Sequence, residues 1–438
     1  MFDLPPLFVS DETLKELGRE EGLMHEQGRG SDSDIPAAYT FFAQFVDHDI
    51  TLDVTSQLNS ATVQEVEALP NLRTMTLDLD CLYGFGPEAS PHLFGAEETL
   101  LVGNSENPRD LARVTEFDEA GKVSRVGTAL IGDPRNDENI FVSQLQYAFH
   151  LFHNKLIESV CGGFEEAQRE ARYHYQYIVL HDFLQRICDP EVYQFALKRI
   201  YSGEYPLFYG REGGELDMPV EFSVAAYRFG HSMVRNKYQP NQNVTSVELF
   251  DEMSNGFSVV PEKLTVEWRF LLDEGTKRKS RKIDELLAGE LVNLPVVNDP
   301  VALNRSLPFR NLVRGRSLGL PSGQDVAAEL AGGGYPIDPK IDLKLSDVKH
   351  WNKLPAAVRK ELKESQPLFF YLLRESNVHN GGKCLGPTGS AILMEVFGGV
   401  LAHCEDSFLR ADWSPRAEIA GADEKLCLAD ILKYVDVY

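Results

Sequence analysis

Apolar residues recur at three- and four-residue intervals along most of this chain, and strict alternation is scarce and short. The helical period is strongest from Pro36 to Thr51, Phe141 to Cys161, Glu165 to Ile187, Pro190 to Tyr201, Val220 to Met233 and Pro367 to Ser407. Between them, "SGEYPLFYGREGGE" (Ser202 to Glu215) and "AGGGYPIDPKIDLK" (Ala331 to Lys344) cluster Gly and Pro. Both read as irregular surface tracts, too short and too weakly biased to act as flexible linkers. No repeat or low-complexity segment interrupts the pattern. The expectation is a mainly α fold, a single large helical domain with little β structure.

Composition narrows the partners more than the fold. With 438 residues, 43% hydrophobic and 25% charged, the chain sits near globular averages, and order is expected nearly throughout. A net charge of −24 opposes binding to nucleic acid or anionic membranes. No segment reaches the roughly 18 apolar residues of a membrane helix; "AILMEVFGGVLAHC" is shorter and reads as a core helix. The start, "MFDLPPLFVSDETLKELGREEG", is acidic and lacks an apolar h-region, so the expected location is the cytoplasm, or export without a classical signal peptide. The six cysteines, Cys81, Cys161, Cys188, Cys384, Cys404 and Cys427, form no C-x-x-C and read as reduced core thiols.

Candidate chemistry sits inside the apolar runs. In "TFFAQFVDHDITLD" (Thr40 to Asp53) a helix puts Gln44 and His48 one turn apart, Asp47 beside that face and Asp49 about 100° away from His48. Ionisable groups among Phe41, Phe42, Phe45 and Val46 must be paired, ligated or catalytic, and a lone D-H-D reads first as a core histidine between two acids. Three other stretches change that reading. "LIGDPRNDENIFVSQLQYAFHLFHNKLIE" places Arg135 and Glu138 before a long helix carrying His150, His153 and Asn154. "AAYRFGHSMVRNKY" places His231 three residues after Arg228, and "FRNLVRGRSLGLP" carries Asn311, Arg314 and Arg316. In "RTMTLDLDCLYGFGP", Thr74, Thr76, Asp78 and Asp80 alternate. In an extended loop they project to one side and, with Asp49, can offer oxygens to a hard cation such as calcium, although by itself the alternation reads first as a solvated strand.

In that order, D-H-D, G-D-x-R-x-x-E-N, H-N-K-L, Y-R-x-G-H and N-L-x-R-G-R-x-x-G-L-P resemble the motifs of the animal-type haem peroxidases. The closing part, "PLFFYLLRESNVHNGGKCLGPTGSAILMEVFGGVL" and "DSFLRADW", resembles their compact bacterial branch. The resemblance implies a peroxidase domain over residues 36–438 behind an N-terminal extension of residues 1–35. It also implies haem b, hydrogen peroxide, and a small reducing substrate (halide, thiocyanate or a phenol) oxidised through a ferryl intermediate. His48 and Arg135 match the family's distal pair: a base that moves the peroxide proton, and a fixed cation for the charge on the leaving oxygen. Gln44 matches the glutamine that positions water, peroxide or halide. His231 takes the iron-ligand position, Asn311 matches the partner that orients its ring, Arg314 matches a propionate partner, and Arg228 lies one turn before the ligand. Asp47 and Glu138 match the two carboxylates that can form ester links to haem. Asn139 stands where a sulfonium link needs methionine, so that link is excluded. The resemblance also supports the calcium loop at Asp49, Thr74, Thr76, Asp78 and Asp80.

Several residues are set aside. His150, His153, His174 and His181 read as packing residues, the last two on an aromatic-rich core helix. Cys384 and Cys404 lie outside the haem motifs. A fatty-acid dioxygenase is the first alternative function, but its radical tyrosine would stand three residues before the iron-binding histidine, where this chain has Arg228. Tyr227 is adjacent and turned by about 100° on a helix. A tailoring step in a biosynthetic pathway is a further alternative. Adhesion or haem carriage finds no basic or repeated surface to support it.

Overall fold

A computed structural model of the chain describes residues 1–28, 30–51, 76–160, 162–210, 216–251, 254–273, 278–420 and 425–438. Its longer helices are α1 (Asp11–Gly18), α2 (Ala38–Ile50), α3 (Ile140–Ser159), α4 (Gly163–Ile178), α5 (Pro190–Ser202), α6 (Leu307–Ser317), α7 (Gly323–Gly332), α8 (Ala356–Glu364), α9 (Leu368–Asn380), α10 (Pro387–His403) and α11 (Leu428–Tyr434). Their starts carry side-chain caps where the sequence supplies them. Asn139 accepts from the N–H groups of Phe141 and Val142 to open α3, Asp189 does the same for α5, and Ser306 opens α6. β structure among the described residues is confined to three two-stranded antiparallel ladders. They pair β1 (Asp32–Pro36) with β6 (Lys279–Arg281), β2 (Arg113–Phe117) with β3 (Val123–Ala129), and β4 (Lys237–Tyr238) with β5 (Val247–Glu248). The mainly α expectation holds.

Two expected helices are not continuous. The run from Pro367 to Ser407 breaks at Gly381 and Gly382, both left-handed (φ 69° and 73°), so that α9 turns back into α10. The run from Val220 to Met233 changes pitch twice: a π-helical turn (Glu221–Ala225), a 3-10 turn (Ala226–Phe229), then one α turn (Gly230–Met233). Arg228 Nε donates to the carbonyl of Ser223 (2.7 Å) across the change of pitch, taking an acceptor that a regular helix would use itself.

The core forms around α2. Phe41 stacks on Phe141 (4.6 Å), Phe45 stacks on Phe149 (4.8 Å), and Tyr175 meets Phe42, Phe45 and Phe149 edge-on. α10 is buried from Pro387 to Leu401, as a helix apolar on all faces must be. Its one carboxylate, Glu395, accepts from the N–H groups of Leu207, Phe208 and Tyr209 and from the Tyr335 hydroxyl. No helix among the described residues is long and apolar enough to cross a membrane. The first residues of the chain lie on α6: Arg316 donates to the Val9 carbonyl and pairs with Asp11, and the Ser306 hydroxyl donates to the Gly18 carbonyl. Glu361 of α8 accepts from Ser10 and Thr13.

Candidate active site

Every residue of α2 is buried except Gln44 and Asp47, which lie three apart on one face. That face lines a polar cleft. From the next wall, Glu138 accepts from Gln44 Nε2 (3.1 Å) and Asn139 Nδ2 donates to Gln44 Oε1 (3.1 Å). From a third wall, Arg228 Nη1 reaches Asp47 Oδ2 (3.5 Å). Asp47 also acts electrostatically on His48, Glu138 and His231, so the four residues share one neighbourhood. Sequence positions as far apart as 47 and 231 therefore come within electrostatic reach.

His48 is held as a neutral imidazole. Burial, and secondly the Arg135 guanidinium, push its pKa down to about 4. Its Nδ1 lies 2.7 Å from Asn136 Oδ1, an acceptor, so Nδ1 carries the hydrogen and Nε2 keeps the lone pair. Asn136 cannot turn over: its Nδ2 donates to Gln146 Oε1 (2.8 Å), while Gln146 Nε2 donates to the Cys81 carbonyl (3.0 Å) and lies 2.9 Å from His150 Nε2. His150 Nδ1 in turn donates to the Leu101 carbonyl (3.1 Å). Asn136, Gln146 and His150 thus form a buried chain behind His48. Sequence reading missed it because only the fold brings the loop before α3 against the helix itself; the i to i+4 spacing of Gln146 and His150 was the one visible signal.

Arg135 is clamped along one edge. Nε and Nη2 bond both oxygens of the Asp133 carboxylate, and Nη2 also donates to the carbonyls of His48 (3.0 Å) and Thr51 (2.5 Å). Nη1 makes no hydrogen bond with a described residue. The segment is fixed from behind by Arg113, which grips Asp137 through both terminal nitrogens (2.7 and 2.8 Å) and Asp110 through Nε. At Gly132 a β-carbon would stand 2.4 Å from the Asp80 carbonyl, which explains glycine in the G-D-x-R motif. Burial pushes the Glu138 carboxyl up to about 7 against the lowering effect of Arg135.

His231 sits in the α turn that follows the 3-10 segment. Burial, then Arg228, drives its pKa down to about 3, and the residue as a whole is only partly buried. Asn311 Nδ2 of α6 lies 3.0 Å from Nδ1; the same carboxamide turned over, with Oδ1 toward the ring, would accept the Nδ1 hydrogen and leave Nε2 as the ligand atom. Nε2 makes no hydrogen bond with a described residue. Arg314, one turn along α6, is partly buried with its pKa lowered by burial. A neutral imidazole whose Nε2 has no hydrogen-bond partner among the described residues, beside a cleft holding two carboxylates and two arginines, is a donor set that fits haem. Tyr227 faces the other way: it stacks on Phe222 (4.9 Å), packs on Phe397, and its hydroxyl donates to the Ala43 carbonyl (3.3 Å).

The expected calcium loop is only partly in view, because Thr74 lies outside the described residues. Asp49 is fully buried and accepts from Leu79 N (3.3 Å), Thr76 Oγ1 donates to Asp78, and Asp80 N donates to Asp78 Oδ1 (3.3 Å). The segment is not extended as far as Asp80: Leu79 is left-handed (φ 64°), and Asp80 starts a helical turn. Among the described residues no group of three or more His, Cys, Asp or Glu is arranged to hold a metal ion.

A family model described as animal haem peroxidase matches residues 59–361. A peroxidase-like protein of Margaritifera margaritifera is 29% identical over 218 residues, covering 43% of this chain and 26% of that protein. The chorion peroxidase of Drosophila melanogaster is 27% identical over 270 residues, covering 58% of this chain and 30% of its own length. The chain thus spans about a quarter to a third of the curated relatives it matches. Among solved structures, peroxidase A from Dictyostelium discoideum superposes with a TM-score of 0.62 at 15% identity, over 99% of this chain and 89% of that one. A fatty acid α-dioxygenase from Oryza sativa gives 0.61 at 15% identity, over 97% and 76%.

Proposed function

The chain belongs to the animal haem peroxidase family, and from that premise we propose that it is a haem-dependent peroxidase that oxidises small anions or phenols with hydrogen peroxide. The observation that carries this reading is the pairing of a neutral His48, its tautomer set by Asn136, with an Arg135 clamped so that Nη1 stays available. Haem would be held by His231 and would supply the iron redox chemistry that peroxide oxidation needs. His48 Nε2 would take the proton from one peroxide oxygen and pass it to the other, departing oxygen. Arg135 stabilises the charge on that oxygen without having to reorganise. Gln44, held between Glu138 and Asn139, orients the peroxide. Asn311 fixes the His231 ring, while Arg228 and Arg314 are the cations for the haem carboxylates. Asp47 and Glu138 are the candidates for ester links. Calcium at Asp49, Thr74, Thr76, Asp78 and Asp80 would tether α2, supported by the buried Asp49 carboxylate at the mouth of that segment. The compact bacterial branch is proposed on the closing segment alone.

Fatty-acid oxygenation is the second reading, favoured by the fold it shares with the α-dioxygenases. Against it stand Arg228 at the radical-tyrosine position and Tyr227 bonded into the core. The deciding comparison sets peroxide-dependent oxidation of iodide, bromide and a phenol against oxygen uptake with long-chain fatty acids in the absence of peroxide. Oxidation of the small donors is expected. Rapid oxygen uptake abolished by Tyr227→Phe would replace this reading with the dioxygenase one.

A further inference from the structure

The surface of α4 and α5 carries an aromatic cluster that the cleft does not use. Tyr201, at the end of α5, is 60% exposed, and its hydroxyl lies 2.8 Å from His181 Nε2, with the two rings stacked at 6.0 Å. His181 comes from the π-helical turn Val179–Phe183 that extends α4. The wider turn leaves it on the same side as Tyr177, one α-helical repeat earlier, with ring centres 4.5 Å apart. Tyr177 meets Trp413 (6.2 Å), and Trp413 meets both Tyr173 (5.7 Å) and His174 (4.8 Å). His174 continues inward through Phe152 and Phe149 to Phe45 of α2, each pair in ring contact. The contacts form one unbroken path from the exposed phenol to the helix that carries His48.

Three oxidisable rings at the outer end have a proton acceptor. The Tyr201 hydroxyl faces His181, the Tyr173 hydroxyl donates to Asp406, and the Trp413 indole N–H donates to Glu170 (3.1 Å). A phenol can lose an electron readily only if its proton has somewhere to go at the same time. Burial holds His181 down to about 4, so it is neutral and able to accept.

We propose that Tyr201, hydrogen-bonded to His181, is a second oxidation site at the protein surface, serving phenolic donors too bulky to enter the cleft. The proposal rests on the peroxidase reading, which supplies peroxide as the oxidant. The Tyr201 electron travels inward along the aromatic path to the peroxide-oxidised centre, and its proton moves to His181 Nε2, leaving a neutral phenoxyl radical. A bulky phenol at the surface then gives an electron to that radical, His181 returns the proton, and the phenol's own proton goes to water. Two such turns reduce one peroxide to two waters and release two donor phenoxyl radicals.

The test compares a small phenol with the same phenol grafted on dextran, using haem-loaded wild type, Tyr201→Phe and His181→Gln. A nitroso spin trap and peptide mapping locate the protein radical. Tyr201→Phe keeps the stacked ring and removes only the hydroxyl. It should leave the small phenol unaffected, bring the grafted phenol to background, and abolish the adduct on the Tyr201 peptide. Losing the proton acceptor in His181→Gln should slow the grafted phenol by about a hundredfold, the low end of what a positioned base contributes. The proposal is overturned if wild type does not turn over the grafted phenol, if both variants retain its rate, or if the adduct lies elsewhere. Failure of wild type on the small phenol as well would instead remove the peroxidase reading beneath it.

Discussion

Asn136 is the residue on which the tautomer of His48 depends. Its carbonyl oxygen fixes the hydrogen on Nδ1, and Gln146 and His150 fix the carbonyl. Because the base must be neutral and its pKa is depressed to about 4, reactivity with peroxide should stay level from neutral pH down to about 5 and fall only as pH passes through about 4. Asn136→Leu removes the acceptor at similar volume and frees the other tautomer. Peroxide reactivity should drop by about tenfold or more with haem content unchanged. Asn136→Asp puts a negative charge on Nδ1–H and should move the acid limb to higher pH. Stopped-flow rates after a pH jump measure both, and an unshifted limb in Asn136→Asp would mean that another group controls it. His48, Arg135 and His231 could be named as candidates in the sequence because each sits in an ordered motif, and the fold brings Arg135 onto the His48 carbonyl. Asn136 could not, because a polar residue beside an arginine on a loop gives no sign of its contact in the fold.

At the scale of elements, helix existence followed from apolar periodicity, whereas pitch did not. The changes from π to 3-10 to α before His231 arise from a side chain binding a carbonyl five residues back, which no periodicity encodes. The break between α9 and α10 was visible as Gly381-Gly382 but was outweighed by the apolar residues on either side. α1 was equally unreadable in its role. It lies on α6, the helix that carries Asn311 and Arg314, and the contact is so close that a β-carbon on Gly18 would stand 2.6 Å from Phe309 Cα. Gly18→Ala should therefore push α1 off α6 and cost about 1–3 kcal/mol, as overpacking does. Urea unfolding gives the loss of stability. A shift in the haem spectrum of this variant would report that α1 helps to hold Asn311, and unchanged stability would show that α1 makes no such close contact.

Over the whole molecule, buried titratable groups set the dependence of stability on pH. His48, His150, His153, His174 and His181 are held down to about 4 and His231 to about 3, all by burial, from an ordinary value of 6.5. Unfolding therefore takes up protons on these six rings below pH 6.5, and the stability they contribute is present above 6.5 and lost as pH falls toward 4. Glu138, Asp284 and Glu375, raised to about 7, act in the opposite sense: their contribution is lost as pH rises through about 7. The three acids oppose the six rings over the same range, so the urea midpoint should fall by the net of three groups from pH 6.5 to 5, dip slightly between 6.5 and about 7, and level off above that. A midpoint that rises as the solution is acidified would contradict the burial of these rings. The central claim, that this cleft turns haem into a peroxidase through His48, is tested most directly by mixing haem-loaded protein with hydrogen peroxide in a stopped-flow spectrometer and following the Soret band. The account predicts a fast spectral change in wild type, slowed by about a hundredfold or more in His48→Ala at full haem content, with haem binding itself lost in His231→Ala. A wild-type rate in His48→Ala, or an unaltered haem spectrum in His231→Ala, would contradict it.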